Sequence, residues 1–275
     1  MSATHNNTKP PVPKFSNSGS TRRYATLRTI IALILREMST RYGRSPGGYV
    51  WAVLEPLAAI IVLAVALSLI IRNPPLGTSF ILFYATGFLP FSLYQNLSLT
   101  ISRAIVFSKA LLFYPVVTWL DAILARFILN SLTGVMVAYL LLIILLNLTE
   151  TRTVLEIGPI VSGIALSMLL GLSVGTLNCA FLGLFPTWDV IWSVITRPLF
   201  LASGILFIYE DLPTVAQNIL WYNPLMHISG LFRSGFYPMY NPIYVSELYV
   251  IMSSLIALAL GLLLLGRYHN DILNN

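Results

Sequence analysis

Charge is scarce in this chain. Only 9% of its 275 residues are Asp, Glu, Lys or Arg, against about 25% in an ordinary soluble domain, so it cannot cover one large globular core with a water-facing shell. Cysteine is nearly missing as well. Cys179 stands alone, which rules out an internal disulfide, and no CxxC or His-rich spacing offers a metal cage. The GxxxxGK[ST] phosphate loop is absent, so the chain does not hold ATP in the way P-loop proteins do. Nor do carboxylates and histidines form a chain at mid-span, as they often do in ion-coupled carriers. The formal charge of +6 could suggest nucleic acid, but the basic residues concentrate before the first apolar run with no aromatic RNA-binding motif beside them. Membrane topology explains the excess better, and no nucleic-acid partner is expected.

What is present is apolar sequence: 57% of the residues are hydrophobic, arranged in runs long enough to cross a bilayer. A hydrocarbon core of about 30 Å needs roughly 20 mostly apolar residues in a helix. The runs predict an all-α polytopic membrane protein with six transmembrane helices, at about 50–71, 80–101, 122–146, 157–184, 190–208 and 244–266. Residues 1–21 are polar and rich in Asn, Ser, Pro and Thr, which predicts a disordered cytosolic tail without the apolar stretch of a cleaved secretory signal. Residues 22–48 predict an amphipathic interface helix and a hinge. Leu27, Ile30, Ile31, Ile34, Leu35 and Met38 recur at helical spacing, with Arg28, Arg36 and Arg41 largely on the other face, toward anionic lipid or a cytosolic partner. Residues 49–269 form the transmembrane domain and 270–275 a cytosolic C-terminus. The basic tail, the Arg103 and Lys109 loop and Arg267 fall on one side, so the positive-inside rule puts both termini in the cytoplasm.

Several side chains stand out within that frame. Glu55 lies about one turn inside the first span, where a carboxylate either answers Arg41 or Arg44 at the interface or takes part in gating or substrate contact. In the second span Tyr84, Phe88, Phe91 and Tyr94 recur at helical spacing. That face is either a packing seam or a conduit wall, on which rings could stack against the flat faces of sugars. Residues 102–121 are basic and broken by Pro115, too short and mixed for a span, and read as a cytosolic helix. Arg126, near the start of the third span, reads as an arginine snorkelling back to the headgroups. In the fourth span Gly163, Ser167, Gly171, Gly175, Cys179 and Gly183 repeat every four residues. This small-xxx-small stripe serves helix packing, within one subunit or across a dimer. Residues 209–244 are apolar yet rich in Pro, Asn, Tyr and Trp, which suits a re-entrant segment before the last helix.

With neither a phosphate loop nor an ion relay, a transporter of this composition takes its energy from a partner. At this point the residues meet a family. The runs RYGRSPGGYVWAVLEP (41–56) and NPLMHISGLFRSGFYP (223–238), with the order of the spans, resemble the membrane subunit of bacterial capsular polysaccharide ABC exporters, within the ABC-2 transporter family. The chain departs from the resemblance at Gly47, where a bulky apolar residue is more often expected. The resemblance implies a subunit of the bacterial inner membrane that pairs with a second copy of itself and with two ATP-binding cassette subunits. Those partners bind ATP and Mg2+, this chain carries no cofactor, and the dimer encloses a path for a lipid-linked acidic polysaccharide. A periplasmic co-polymerase and an outer-membrane export protein continue the route. On this analogy Arg28, Arg36, Arg41, Ser102, Arg103 and Lys109 couple to the ATPase, the interface helix spanning 22–42 and the coupling helix 102–119, with 209–219 as the periplasmic re-entrant part. Trp51, Glu55, Tyr84, Phe88, Phe91, Tyr94, Arg197 and Arg233 are the candidates for the translocation path, the two arginines drawing the polymer's carboxylates or the anchor's phosphate. Two rivals stay open: an O-antigen or teichoic-acid exporter of the same architecture, and a membrane-embedded transferase acting on lipid-linked sugars.

Overall fold

The computed structural model describes residues 25–41, 47–69, 72–114, 116–149 and 155–274. Among these residues the chain is all-helical, without strands. The expected N-terminal tail, most of the 42–48 hinge with Arg44, and the side chain of Arg41 lie outside the described residues. Helix α1 (Ala25–Arg41) packs along α5 (Trp119–Leu148), burying Ile30 and Leu33 against Ala125 with Ile34 alongside. Leu27, Ile31, Leu35 and Met38 remain exposed. The apolar residues of α1 therefore split between two faces, one turned to the bundle and one free to meet lipid, where the spacing had suggested a single stripe.

Helix α2 (Gly48–Ser68) is apolar apart from Glu55, and its buried residues form one narrow line, Pro56, Ile60 and Ala64, four residues apart. Its start depends on Gly47, which has φ of 91°. That left-handed conformation strains any residue with a Cβ, so the departure from the family pattern matches the backbone at this turn.

Helix α3 (Phe80–Ser102) is the post about which the others gather, and 15 of its residues are buried. Ser79 caps it, accepting from the Leu82 amide. Thr86, Ser92, Gln95, Asn96, Ser98 and Thr100 lower its hydropathy, which a helix surrounded by protein tolerates and a lipid-facing one does not. After α4 (Ala104–Leu112) the chain turns into α5, whose entry is a capping box. The Asp121 carboxylate accepts from the Thr118 amide and hydroxyl, while the Thr118 hydroxyl oxygen accepts from the Asp121 amide, satisfying donors at the helix start and opposing the helix dipole. The coupling segment expected over 102–119 thus contains a helix of nine residues, and residues 113–114 and 116–118 after it are not helical.

Helix α6 (Ile157–Leu184) carries the small-residue stripe. A Cβ on Gly171 would stand 2.8 Å from Leu97 Cβ, one on Gly175 2.8 Å from Ile101 Cβ, and one on Gly163 3.0 Å from Phe232 Cβ. Ser167 is buried and donates to the Gly163 carbonyl. The stripe lies against α3 and against α9 (Pro224–Ser234) of the same chain, at distances only hydrogen side chains permit. The last helix, α10 (Glu247–Asn274), packs along α6 and runs unbroken past the expected end at 266.

The fifth expected span differs most. Helix α7 (Trp188–Leu201) ends well before 208 and contains no buried residue. At about 1.5 Å per residue its 14 residues reach about 21 Å, short of the 30 Å core. Residues 202–208 are not helical. A 3-10 turn (Tyr209–Asp211), α8 (Thr214–Leu220) and α9 follow. Asn223 caps α9 with Pro224 at its first turn, and nine of its residues are buried. Among the described residues four helices, α2, α5, α6 and α10, are long and apolar enough to cross a membrane.

Candidate functional site: a polar front between two loosely held helices

Two cavities flank α3. One, of about 570 Å3, lies between α3 and α7 and is lined by Tyr94, Gln95, Ser98, Arg103, Asp189, Trp192, Ser193, Thr196, Arg197 and Phe200. The other, of about 530 Å3, lies between α2, α3 and α5 and is lined by Trp51, Glu55, Phe88, Ser92, Gln95, Asn96, Asn130 and Thr133, among others. Gln95 and Leu99 line both, so the cavities meet across one ridge of α3. The result is a concave front with α3 as floor and the two least embedded long helices, α2 and α7, as walls.

The chemistry of this front is amides, hydroxyls and rings with few fixed charges. Asn96 donates to the Ser92 hydroxyl at 3.3 Å, and Thr100 donates to the Asn96 carbonyl at 2.7 Å. Phe200 sets its edge against Phe91 at 5.3 Å between ring centroids. At one end Arg103 and Asp189 pair at 3.2 Å, each more than half exposed. Trp188 anchors the start of α7, donating from Nε1 to Asn178 Oδ1 at 2.9 Å and packing on Phe181. α7 is therefore held at its first turn and, through Leu199 and Phe200, at its last.

The expected path residues divide on this geometry. Trp51, Glu55 and Phe88 line the α2 side, and Tyr94 and Arg197 line the α7 side. Tyr84 and Phe91 are buried inside the subunit, because the four-ring repeat wraps a helix that has protein on nearly every face. Tyr84 packs against Phe83 instead, at 5.2 Å.

Arg233 is the clearest correction. It is 1% exposed and donates to three backbone carbonyls of the segment after α7: Gly204 at 2.6 Å, Ile205 at 2.8 Å and Phe207 at 3.0 Å. Its guanidinium also lies 4.1 Å from the Phe83 ring centroid. A non-helical stretch buried in a membrane protein must find donors for its carbonyls, and this side chain supplies them. It does not face the front, so the attraction of polymer anions expected of it does not apply.

Of the expected coupling residues, Arg28 is exposed on α1, Arg36 and Lys109 are half-buried, and Ser102 is buried with its hydroxyl turned to the Leu99 carbonyl. Arg103 reaches α7 through Asp189. Sequence reasoning passed over Gln95, Asn96, Trp192, Ser193 and Thr196 as wall residues. It also missed that Glu37 of α1 and Arg126 of α5 form a buried ion pair. The available signal was an acid on α1 and a base near the start of the third span, both close to the membrane surface.

The amino-acid sequence is similar to those of known proteins. The profile of the family described as ABC-2 type transporter covers residues 28–237. "Polysialic acid transport protein KpsM" of Escherichia coli is 31% identical over 236 residues, which is 86% of this chain and 92% of the relative. "Capsule polysaccharide export inner-membrane protein CtrC" of Neisseria meningitidis is 24% identical over 245 residues, 89% of this chain and 92% of the relative. "Capsule polysaccharide export inner-membrane protein BexB" of Haemophilus influenzae is 26% identical over 245 residues, with the same coverage. A profile spanning most of the chain, and relatives aligned along nearly all of it, establish that this protein belongs to the ABC-2 type transporter family.

Proposed function

We propose that this chain is the membrane-spanning subunit of an ATP-driven exporter that moves lipid-anchored capsular polysaccharide across the bacterial inner membrane. One observation carries the reading: the polar, ring-bearing front across α3 is closed on one side by its own subunit and open on the other, between α2 and α7. A half-conduit of this kind is completed by a second copy of the chain. Amides and hydroxyls exchange hydrogen bonds with sugar hydroxyls at little net gain, and rings offer flat faces without deep pockets, so a polymer could pass without being trapped. Arg197 is exposed in the α7 wall, and it supplies a positive field for an anionic polymer or its anchor.

In this reading the chain crosses the membrane six times. α3 and α7 complete the four long apolar helices, α7 with the help of the non-helical 202–208 segment, and α8 and α9 make the periplasmic re-entrant part. Both termini lie in the cytoplasm. Two ATP-binding cassette subunits bind ATP and Mg2+ and press on α1 and α4. A periplasmic co-polymerase and an outer-membrane export protein receive the polymer.

Cysteine scanning of the front tests the proposal, since the lone native thiol, Cys179, is buried. Variants S193C, T196C and Q95C, treated with a bulky membrane-permeant maleimide in cells, should stop capsule export, whereas L263C on the exposed face of α10 should not. Export that continues unchanged with all three front positions labelled would overturn the assignment of the conduit.

A further inference from the structure

The cytosolic end of α5 holds a polar junction outside the front. Arg126 Nε lies 3.3 Å from Glu37 Oε2 of α1, and each side chain is less than a tenth exposed. The same guanidinium donates through Nη1 to the Thr100 carbonyl of α3 and lies 4.3 Å from the centroid of the Phe107 ring of α4. Arg36 of α1 stands over that ring too, at 5.3 Å. One turn further along α5, Asn130 donates to the Arg126 carbonyl at 2.7 Å and lines the α2 side of the front. Thus α1, α3, α4 and α5 all meet one planar cation.

A snorkelling arginine would put its guanidinium among the headgroups. This one is turned inward and desolvated, which is unfavourable unless each contact is made. The apolar contact of α1 with the bundle is small, chiefly Ile30 and Leu33 on Ala125, and such contacts are non-directional. The ion pair adds attraction and the bond to the Thr100 carbonyl adds direction, because the planar guanidinium fixes where its donors point as an ammonium would not. Thr100 also belongs to the chain of hydrogen bonds through Asn96 to Ser92 on the floor of the front. A displacement at the junction therefore has a short route to the residues that line the path.

We propose that Arg126 is a positioning residue for transport. It joins α1 and α4 to the cytosolic ends of α3 and α5, so that a push from the ATPase on α4 moves the floor of the front. The inference rests on the reading of this chain as an ATP-driven exporter.

The test uses the full complex of permease and ATPase in inner-membrane vesicles, with ATP hydrolysis and polymer translocation measured on the same preparation. For R126Q and E37Q the expected result is wild-type assembly and sustained hydrolysis, with polymer moved per ATP reduced about three- to tenfold. R126K should fall between them and wild type, and the exchanged pair E37R with R126E should recover part of the loss. If R126Q fails to accumulate, E37Q and R126K carry the measurement. A wild-type ratio of polymer to ATP in every variant that assembles would overturn the proposal, as would hydrolysis and translocation falling in equal proportion. Hydrolysis without any translocation dependence on ATP in the unaltered complex would instead refute the exporter reading on which it rests.

Discussion

Replacing Arg233 by alanine removes three hydrogen bonds at once. The guanidinium serves the carbonyls of Gly204, Ile205 and Phe207, and the space around it is closed: a Cβ on Gly87 would stand 2.7 Å from its Nη2. Water has no ready access to replace it. A buried carbonyl stripped of its partner costs about 1–3 kcal/mol, and part of that is recovered as the chain relaxes, so Arg233→Ala should lose on the order of 5 kcal/mol. Arg233→Lys keeps a cation but cannot spread two nitrogens over three oxygens, and should lose about 2 kcal/mol. Against a total stability of about 5–15 kcal/mol, the alanine variant should fold poorly. The assay is built into the chain. Cys179 is the lone cysteine and is buried, so a thiol-reactive dye reports unfolding of detergent-solubilised protein on heating. At about 2–4 °C per kcal/mol for a chain of this size, the melting temperature should drop by about 10–20 °C for Arg233→Ala, with a smaller drop for Arg233→Lys. An alanine variant melting within about 3 °C of the parent, as expected when a solvated surface arginine is removed, would refute the carbonyl clamp.

Two further outcomes follow from the packing. Gly175→Val should separate α6 from α3, because the added atoms meet Ile101 Cβ at 2.8 Å and the Ser98 Cα at 3.1 Å. Overpacking of this kind costs about 1–3 kcal/mol, and the same Cys179 assay should read it as earlier labelling. His227 predicts a pH dependence. It is buried, its Nδ1 accepts from the Ser246 amide, and its Nε2 donates to the Trp221 carbonyl at 2.7 Å, so the ring is held neutral in one tautomer. Burial pushes its pKa below the ordinary value. The neutral ring's contribution is full above the unfolded pKa of about 6.5 and is lost as pH falls through the lower folded value. Melting temperature should therefore decline on acidification more steeply in the parent than in His227→Gln, and identical slopes would exclude the effect.

The helices themselves were largely legible. Residues 157–184 were bounded correctly by Glu156 on one side and Pro186 on the other, and 80–101 by Ser79 and Arg103, since polar caps and prolines act on the backbone within a turn or two. The end of α7 was not legible. Residues 202–208 are as apolar as the helix before them, and hydropathy does not distinguish a buried irregular segment from a span when its carbonyls are satisfied by a side chain some 30 positions later.

Composition and periodicity were enough to make this an all-helical membrane protein, because transfer into lipid is a sum over local residues and needs no knowledge of neighbours. Which rings line the cavities beside α3, that Arg233 serves the backbone, and that Glu37 meets Arg126 from a distant part of the chain were settled only by the folded chain. A charge buried in a protein is decided by what stands opposite it, and in this protein those partners come from helices far apart in sequence.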